Sequence, residues 1–143
     1  MTSKTIFEQI RDGEIPARII HETETTLAFL DAHPLARGHT LVVPKEPYEH
    51  LQELPPELSA DLFETVRELT PTVEAAVDAD ATTIGINNGE ASGQEVPHVH
   101  VHIIPRFEGD NSGPLHAIAI DSPEFSEAEL DEIAESIADE QSA

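Results

Sequence analysis

The chain of 143 residues carries 29 acidic and only 7 basic side chains, which gives a formal net charge of −22. Nucleic acids and anionic membranes are excluded as natural partners of such a surface, because like charges repel. Hydrophobic residues make up 38% of the sequence, which is too much for an acidic disordered segment, and the length suits one folded domain.

The acidic residues are dispersed along the chain and not gathered in one tail. Self-repulsion destabilises a compact state with this much charge, whereas about 1 M salt shortens the screening length to about 3 Å. The sequence has no cysteine, no apolar stretch of the signal-peptide type, and none near the roughly 20 residues that span a membrane. These features predict a cytoplasmic, salt-adapted protein, such as one from a haloarchaeon.

Hydrophobic periodicity and turn residues predict five strands and three helices. A short helix at 4–11 precedes strands at 17–21 and 27–31, and the short turn between these strands favours a hairpin. The other strands are predicted at 39–44, 82–87 and 98–104. We expect an α+β fold in which helices pack on a mainly antiparallel five-stranded sheet.

The two longer helices carry apolar residues at three- and four-residue steps. The first opens at Pro55-Pro56, and Pro71 inside its apolar stripe should kink or split it. The second is C-terminal and begins at Ser126, where Ser-Glu-Ala-Glu resembles a capping box. Their apolar positions are Leu58, Leu62, Val66, Leu69 and Val73 in the first, and Leu130, Ile133, Ala134 and Ile137 in the second.

Three histidines alternate with apolar residues in the segment 97–106, PHVHVHIIPR. A two-residue period is typical of a β-strand and places His98, His100 and His102 on one face. Imidazole, with an unperturbed pKa of about 6.5, acts as nucleophile, acid or base near neutral pH. Two such histidines can share a zinc ion, but a rise of about 3.3 Å per residue puts the outer pair about 13 Å apart. A phosphate ester chain is long enough to lie along all three.

The segment before this row, IGINNGEASGQEV at 84–96, predicts a strand that ends at Asn87 and then a loop. Gly89 and Gly93 allow positive φ and a close approach of the backbone to an anion. By itself such a loop is equally typical of ordinary turns. Because it leads directly into the histidine row, it indicates a place for phosphate oxygens.

The pattern Gly-Gln-x-Val-x-His-x-His-x-His from Gly93 to His102 is similar to the motif of the histidine triad (HIT) superfamily, and it looks most like the Hint-type branch. The resemblance covers residues 5–106, with further matches in TIF at 5–7, GEIPA at 13–17, LAFLD at 27–31 and GHTLVVPK at 38–45. It implies a homodimer and a nucleotidyl hydrolase or transferase acting at the α-phosphorus of phosphoramidates or dinucleoside polyphosphates. We therefore divide the chain into a catalytic part at 1–106 and a C-terminal extension at 107–143 within the same single domain.

The resemblance also implies residue roles. His100 would attack phosphorus as a neutral imidazole and form a covalent nucleotidyl-histidine, with the backbone carbonyl of His98 accepting the proton of its other nitrogen. His102 would contact the phosphate or the leaving group, and His39 would support the cluster, which completes the catalytic set of four histidines. The expected ligand is a purine nucleotide, held by Asn87, Gly93 and Gln94 near the phosphate, Asp31 at the ribose, and Ile15 and Phe29 at the base.

The sequence departs from the family pattern at two places. Some prokaryotic relatives hold a structural zinc through a Cys-x-x-Cys pair and histidines, but here Thr5 and Glu8 occupy the cysteine positions and Pro47 a histidine position. We therefore predict no structural zinc, no other metal and no cofactor. Glu95 stands where relatives often have Ser or Thr next to the phosphate, and a carboxylate pointing inward there would repel a phosphate.

Three classes of function stay open on the sequence alone. The leading hypothesis is a HIT-type nucleotidyl hydrolase. The second is a metal-dependent or metal-binding protein that uses His39 and the histidine row, and the third is a nucleotide-binding regulator with little turnover. The preference between phosphoramidates and dinucleoside polyphosphates is expected to depend on residues outside the triad, so it is also open.

Overall fold

The computed structural model describes residues 3–142, and the chain divides after Ser112 into two compact units. The main elements of the first unit are α1 at Ile6–Arg11, β1 at Ile19–Glu22, β2 at Thr26–Leu30, β3 at Thr40–Pro44, α2 at Pro56–Val77, β4 at Ala81–Gly85 and β5 at Val101–Arg106. Within the described part, its five strands form one sheet in the order β1-β2-β3-β5-β4, with every neighbouring pair antiparallel. The predicted α+β fold is confirmed.

Side-chain alternation along the central strands gives the sheet two apolar faces. One face lies under α2 and the other lies under α1. Because His102 pairs with Leu41 across β3 and β5, it belongs to the α1 face. The α2 face includes Ala28, Val42, Val101 and Ile103, whereas the α1 face includes Leu27, Phe29, Leu41 and Val43 together with Phe7 and Ile10.

Helix α2 is one continuous element of 22 residues, so of the two predicted effects of Pro71 the split was wrong, and the kink stays a prediction. Leu69 and Val73 are buried on either side of the proline, and this packing outweighs the backbone hydrogen bond that a proline removes. The hydroxyl of Thr70 also donates to the carbonyl of Val66 at 2.7 Å. Burial of this helix face therefore outweighs the local tendency of a proline to break the helix.

Strand β5 begins at Val101, so the strand predicted at 98–104 was wrong over its first three residues. The backbone there has other partners, because Val99 N–H donates to the carbonyl of Tyr48 at 2.7 Å and His98 N–H to that of Val96 at 2.8 Å. Of the three histidines only His102 lies in the sheet. The remaining predicted strands and α1 agree with the structure to within two residues at each end.

The second unit contains a 3₁₀ turn at Leu115–Ile118 and helix α3 at Glu127–Gln141. The predicted capping box is confirmed, since Ser126 Oγ accepts from Glu129 N–H at 3.1 Å and Glu129 Oε1 accepts from Ser126 N–H at 3.0 Å. On this helix Leu130, Ile133 and Ile137 are exposed. Within residues 3–142 no helix combines the length and the hydropathy that crossing a membrane requires. The functional division at residue 106 stays a prediction.

Candidate active site

A cavity of about 720 Å³ opens on the α1 face of the sheet. Three of the four histidines predicted to be catalytic line it, namely His39, His100 and His102. Of the four residues predicted near the phosphate and the ribose, Asn87, Gly93 and Asp31 line it as well, whereas Gln94 does not. The residues predicted at the base, Phe29 and Ile15, also line it, and His98 lies outside the lining.

His98 lies behind the cavity and is 1% exposed. Its Nε2 faces the carbonyl of Pro44 at 2.8 Å, so this nitrogen carries the proton and donates. Its Nδ1 then accepts from the hydroxyl of Thr5 at 2.7 Å, and that same hydroxyl oxygen accepts from Glu8 N–H in the capping box of α1. Burial lowers the pKa of His98. Both ring nitrogens are occupied by protein groups, which suits this side chain to position its neighbours, and its predicted place in the catalytic set stays a prediction.

His100 has its proton fixed by the backbone. Its Nδ1 lies 2.8 Å from the carbonyl oxygen of His98, and a carbonyl only accepts hydrogen bonds. The neutral ring therefore carries its proton on Nδ1 and keeps the Nε2 lone pair free. The ring of Phe7 packs edge-on against it, with centroids 5.0 Å apart, which holds the imidazole in place. This arrangement presents a nucleophilic nitrogen in a residue that lines the cavity.

His39 and His102 form a second chain of defined protonation. Leu35 N–H donates to His39 Nδ1 at 3.0 Å, so the neutral His39 ring carries its proton on Nε2. That proton is donated to His102 Nδ1 at 2.9 Å, which leaves the proton of His102 on Nε2. His102 Nε2 is buried and has no hydrogen-bond partner among residues 3–142. A buried donor without a partner, next to His100, is suited to bind a phosphate oxygen.

Burial keeps both rings of this chain uncharged at neutral pH. It lowers the pKa of His39 and, with the neighbouring His100 and His39 rings adding to the effect, lowers the pKa of His102 to about 4. Asp31 opposes both shifts, but its Oδ2 is 3.6 Å from His39 Nε2, which is too long for a hydrogen bond. Its Oδ1 accepts from His33 N–H at 2.8 Å.

The ligand atoms of Asp31, His39 and His102 lie within 4.8 Å of one another and are the group, within the described chain, with the spacing of a metal site. A metal would need the lone pair of His39 Nε2. Because His39 Nδ1 accepts from Leu35 N–H, the proton of the neutral ring stays on Nε2. The three side chains therefore fit a hydrogen-bonded chain better than a cation site. The absence of a metal stays a prediction, which a chelator tests.

The pKa of His102 makes a prediction for stability. An unfolded histidine has a pKa of about 6.5, against about 4 in the folded protein, so between these values the unfolded state binds a proton that the folded state does not. The stability that the depressed pKa of His102 contributes to the folded state is therefore fully present above pH 6.5, and it is lost as the pH falls toward about 4. When the pH is lowered from about 8 to about 5, we expect the free energy of unfolding of the parent to fall by about 2 kcal/mol more than that of His102→Gln.

Urea titrations of both proteins in the same molar KCl measure this difference. The carboxylates are common to the two proteins, so their own titration cancels in the comparison. Identical pH dependence in the parent and in His102→Gln would contradict the prediction.

The side chain of Gln94 bonds to its own loop, and its predicted steering of the phosphate stays a prediction. Its Oε1 accepts from Gly89 N–H at 2.8 Å, and its Nε2 donates to the carbonyls of Glu49 at 2.8 Å and Val96 at 3.0 Å. The amide is thus used to hold the loop that leads into the histidine segment. In that loop Gly93 has a φ of +105° and brings its backbone to the cavity.

Arg18 and His33 also line the cavity, and neither is among the predicted site residues. Arg18 is the one Lys or Arg side chain among the described residues that line it. The sequence signal that could have identified Arg18 is its rarity, because the chain has only 7 basic residues. A cation at this position suits an anionic ligand.

The sequence profile of the HIT domain matches residues 12–109. The chain belongs to the HIT family. An uncharacterized HIT-like protein of Methanocaldococcus jannaschii is 42% identical over 132 residues, which are 92% of this chain and 97% of that protein. Among solved structures, a Streptococcus mutans protein has a TM-score of 0.87 and 35% identity, covering 98% of this chain and 87% of its own.

Other HIT relatives have names that state an activity. An asymmetrical bis(5′-nucleosyl)-tetraphosphatase of Schizosaccharomyces pombe is 40% identical over 68% of this chain and 54% of its own length. An adenylylsulfatase of Arabidopsis thaliana is 38% identical over 73% and 53%. An adenosine 5′-monophosphoramidase of Schizosaccharomyces pombe is 41% identical over 71% and 73%. The chain thus spans about half the length of the first two.

Proposed function

We propose that the chain is a nucleotidyl hydrolase that cleaves purine nucleoside phosphoramidates or dinucleoside polyphosphates at the α-phosphorus. The observation that carries this proposal is the hydrogen bond from His100 Nδ1 to the carbonyl of His98 at 2.8 Å, which leaves Nε2 as a free nucleophile. The names of the tetraphosphatase, the adenylylsulfatase and the monophosphoramidase support the class of substrate.

The reaction proceeds in two displacements. His100 Nε2 forms a bond to the α-phosphorus while the bond to the leaving group breaks, and the ring becomes positively charged. The carbonyl of His98 stabilises that charge through the Nδ1 proton. Water then breaks the new phosphorus–nitrogen bond and releases the nucleoside monophosphate. His102 Nε2–H donates to a phosphate oxygen, where negative charge increases in each transition state.

The nucleotide is held by groups on three sides of His100. Phe29 and Ile15, with Leu41 beside them, line the apolar part of the cavity and would contact the base. Asp31 would accept from ribose hydroxyls. Asn87 and the backbone of Gly93 would bind near the phosphate, because both lie at the loop that carries the positive φ.

Release of AMP in the presence of EDTA tests the proposal. The substrates are adenosine 5′-phosphoramidate and diadenosine tetraphosphate, assayed in parallel in molar KCl because we infer a salt-rich, haloarchaeal cytoplasm for a chain with a net charge of −22. Release from either substrate is the expected result. Activity that needs added zinc or manganese would favour the metalloenzyme, and no release in either condition would favour a nucleotide-binding regulator.

We also infer a homodimer. Strand β4 is at one edge of the sheet, and an edge strand presents unpaired backbone groups that a second chain can pair with. Ile84 on β4 is 40% exposed, so an apolar side chain accompanies this edge. Sedimentation equilibrium in molar KCl should give the mass of two chains, and the mass of one chain would overturn the inference.

A further inference from the structure

Glu95 puts a negative charge at one end of the substrate cavity. It is exposed and lines the cavity together with His100 and His102. Its carboxylate has no hydrogen bond or ion pair with any residue from 3 to 142. The residues on either side are fixed, because the Gln94 amide donates to the carbonyl of Val96 and His98 N–H donates to the same carbonyl. The position of the Glu95 backbone is therefore defined.

The same carboxylate also borders a second, open groove. This groove shares Gly93 and Glu95 with the substrate cavity, and Glu49 and Glu90 line it as well. Inside the substrate cavity Asp31 adds a further negative charge, against the single guanidinium of Arg18. Among the described residues, the groove that the cavity joins at Gly93 and Glu95 is thus lined by three carboxylates and no cation.

This inference rests on the proposed function, in which the base contacts Phe29 and Ile15 and the phosphorus lies at His100. The cavity continues at Gly93 and Glu95 into the open groove. This opening gives the leaving group, which departs opposite the attacking nitrogen, a route out of the cavity. A leaving group on this route passes the carboxylate of Glu95.

We propose that Glu95 is a specificity-determining residue that favours amine leaving groups over polyphosphate. In a phosphoramidate the phosphorus–nitrogen bond breaks, its electron pair stays on nitrogen, and the amine takes up a proton from solvent as it departs. The water that attacks phosphorus in the second step releases one proton, and this release balances the proton that the amine takes up. In a dinucleoside polyphosphate the phosphorus–oxygen bond breaks instead, and the departing chain gains negative charge beside a carboxylate, which repels it.

The test compares kcat/KM for three substrates in the presence of EDTA. They are adenosine 5′-phosphoramidate, an adenosine phosphoramidate whose amine carries a second, protonated amino group, and diadenosine tetraphosphate. In Glu95→Gln we expect the preference for the cationic phosphoramidate over the tetraphosphate to fall about tenfold, which corresponds to about 1.4 kcal/mol. In molar KCl the fall should be smaller, because salt screens exposed charges.

Glu68→Gln is the matched control, because it removes the same charge from the exposed face of α2 and should leave the preference unchanged. Glu95→Ser serves as a second variant should Glu95→Gln not fold. An unchanged preference in a folded, active Glu95 variant would overturn this inference alone. A parent protein that releases AMP from none of the three substrates would instead overturn the proposed function, and this inference with it.

Discussion

Replacing the nucleophile in His100→Asn is expected to lower kcat by at least about 10⁴-fold with either substrate class. An amide nitrogen has no lone pair comparable to that of Nε2, so it cannot form the bond to phosphorus. The proposed base and ribose contacts at Phe29, Ile15 and Asp31 lie elsewhere in the chain and do not depend on this ring. We therefore expect the Kd of AMP, measured by calorimetry, to change by less than about fivefold, or about 1 kcal/mol.

A rapid acid-free quench followed by intact mass measurement provides a second readout. The parent should show a fraction of chains heavier by one nucleotidyl group, and His100→Asn should show none. His116→Asn, which changes an exposed histidine in the second unit, is the matched control and should behave as the parent. Turnover by His100→Asn at the parental rate would rule out the covalent mechanism.

The second large effect is expected from the pair His39 and His102. His102→Ala removes the donor to the phosphate and should lower kcat/KM about 10²–10³-fold, the typical cost of one transition-state hydrogen bond. His39→Leu should lower kcat/KM by a similar factor although it leaves His102 in place, because nothing then holds the His102 proton on Nε2. His39 acts through His102 and is thus a positioning residue.

The double variant distinguishes this relay from two independent effects. If His39 acts only by orienting the proton of His102, the double variant should be no slower than His102→Ala alone, since groups that act as a unit are not additive. His39→Gln, which can still donate through its amide, should recover part of the activity lost in His39→Leu. Losses that multiply in the double variant would contradict the relay, and thermal unfolding of each variant checks that the fold is retained.

Much of the fold follows from the spacing of apolar residues in the sequence. The three- and four-residue steps from Leu62 to Val73 predict the buried face of α2, and that face is continuous because it packs on the sheet. The strand predicted at the histidines extends too far for a related reason. Alternation of apolar and polar residues indicates on which side of the chain a residue lies, but it does not predict the hydrogen-bond partner of its backbone. For the residues just before β5 those partners are Tyr48 and Val96.

Within the site, roles that depend on residue type were predictable and roles that depend on a particular geometry were not. An alternating histidine row is visible in the sequence. By contrast, the occupation of both His98 nitrogens requires that residues 5 and 44 come together with residue 98. Likewise the three bonds of the Gln94 amide exist only once its loop has closed on Glu49. The spacing of residues along the sequence predicts neither of these sets of contacts.

The single imidazole of His98 ties together the first turn of α1 through Thr5, the end of β3 through Pro44 and, through its own carbonyl, the ring of His100. These contacts span 93 and 54 positions of sequence. Contacts between such distant positions form late in folding, since long loops must close first. The hydrogen bonds around the proposed nucleophile therefore depend on segments from both ends of the first unit. We expect a chain that begins after α1 to contain the whole triad and yet to lack the bond from Thr5 that orients His98.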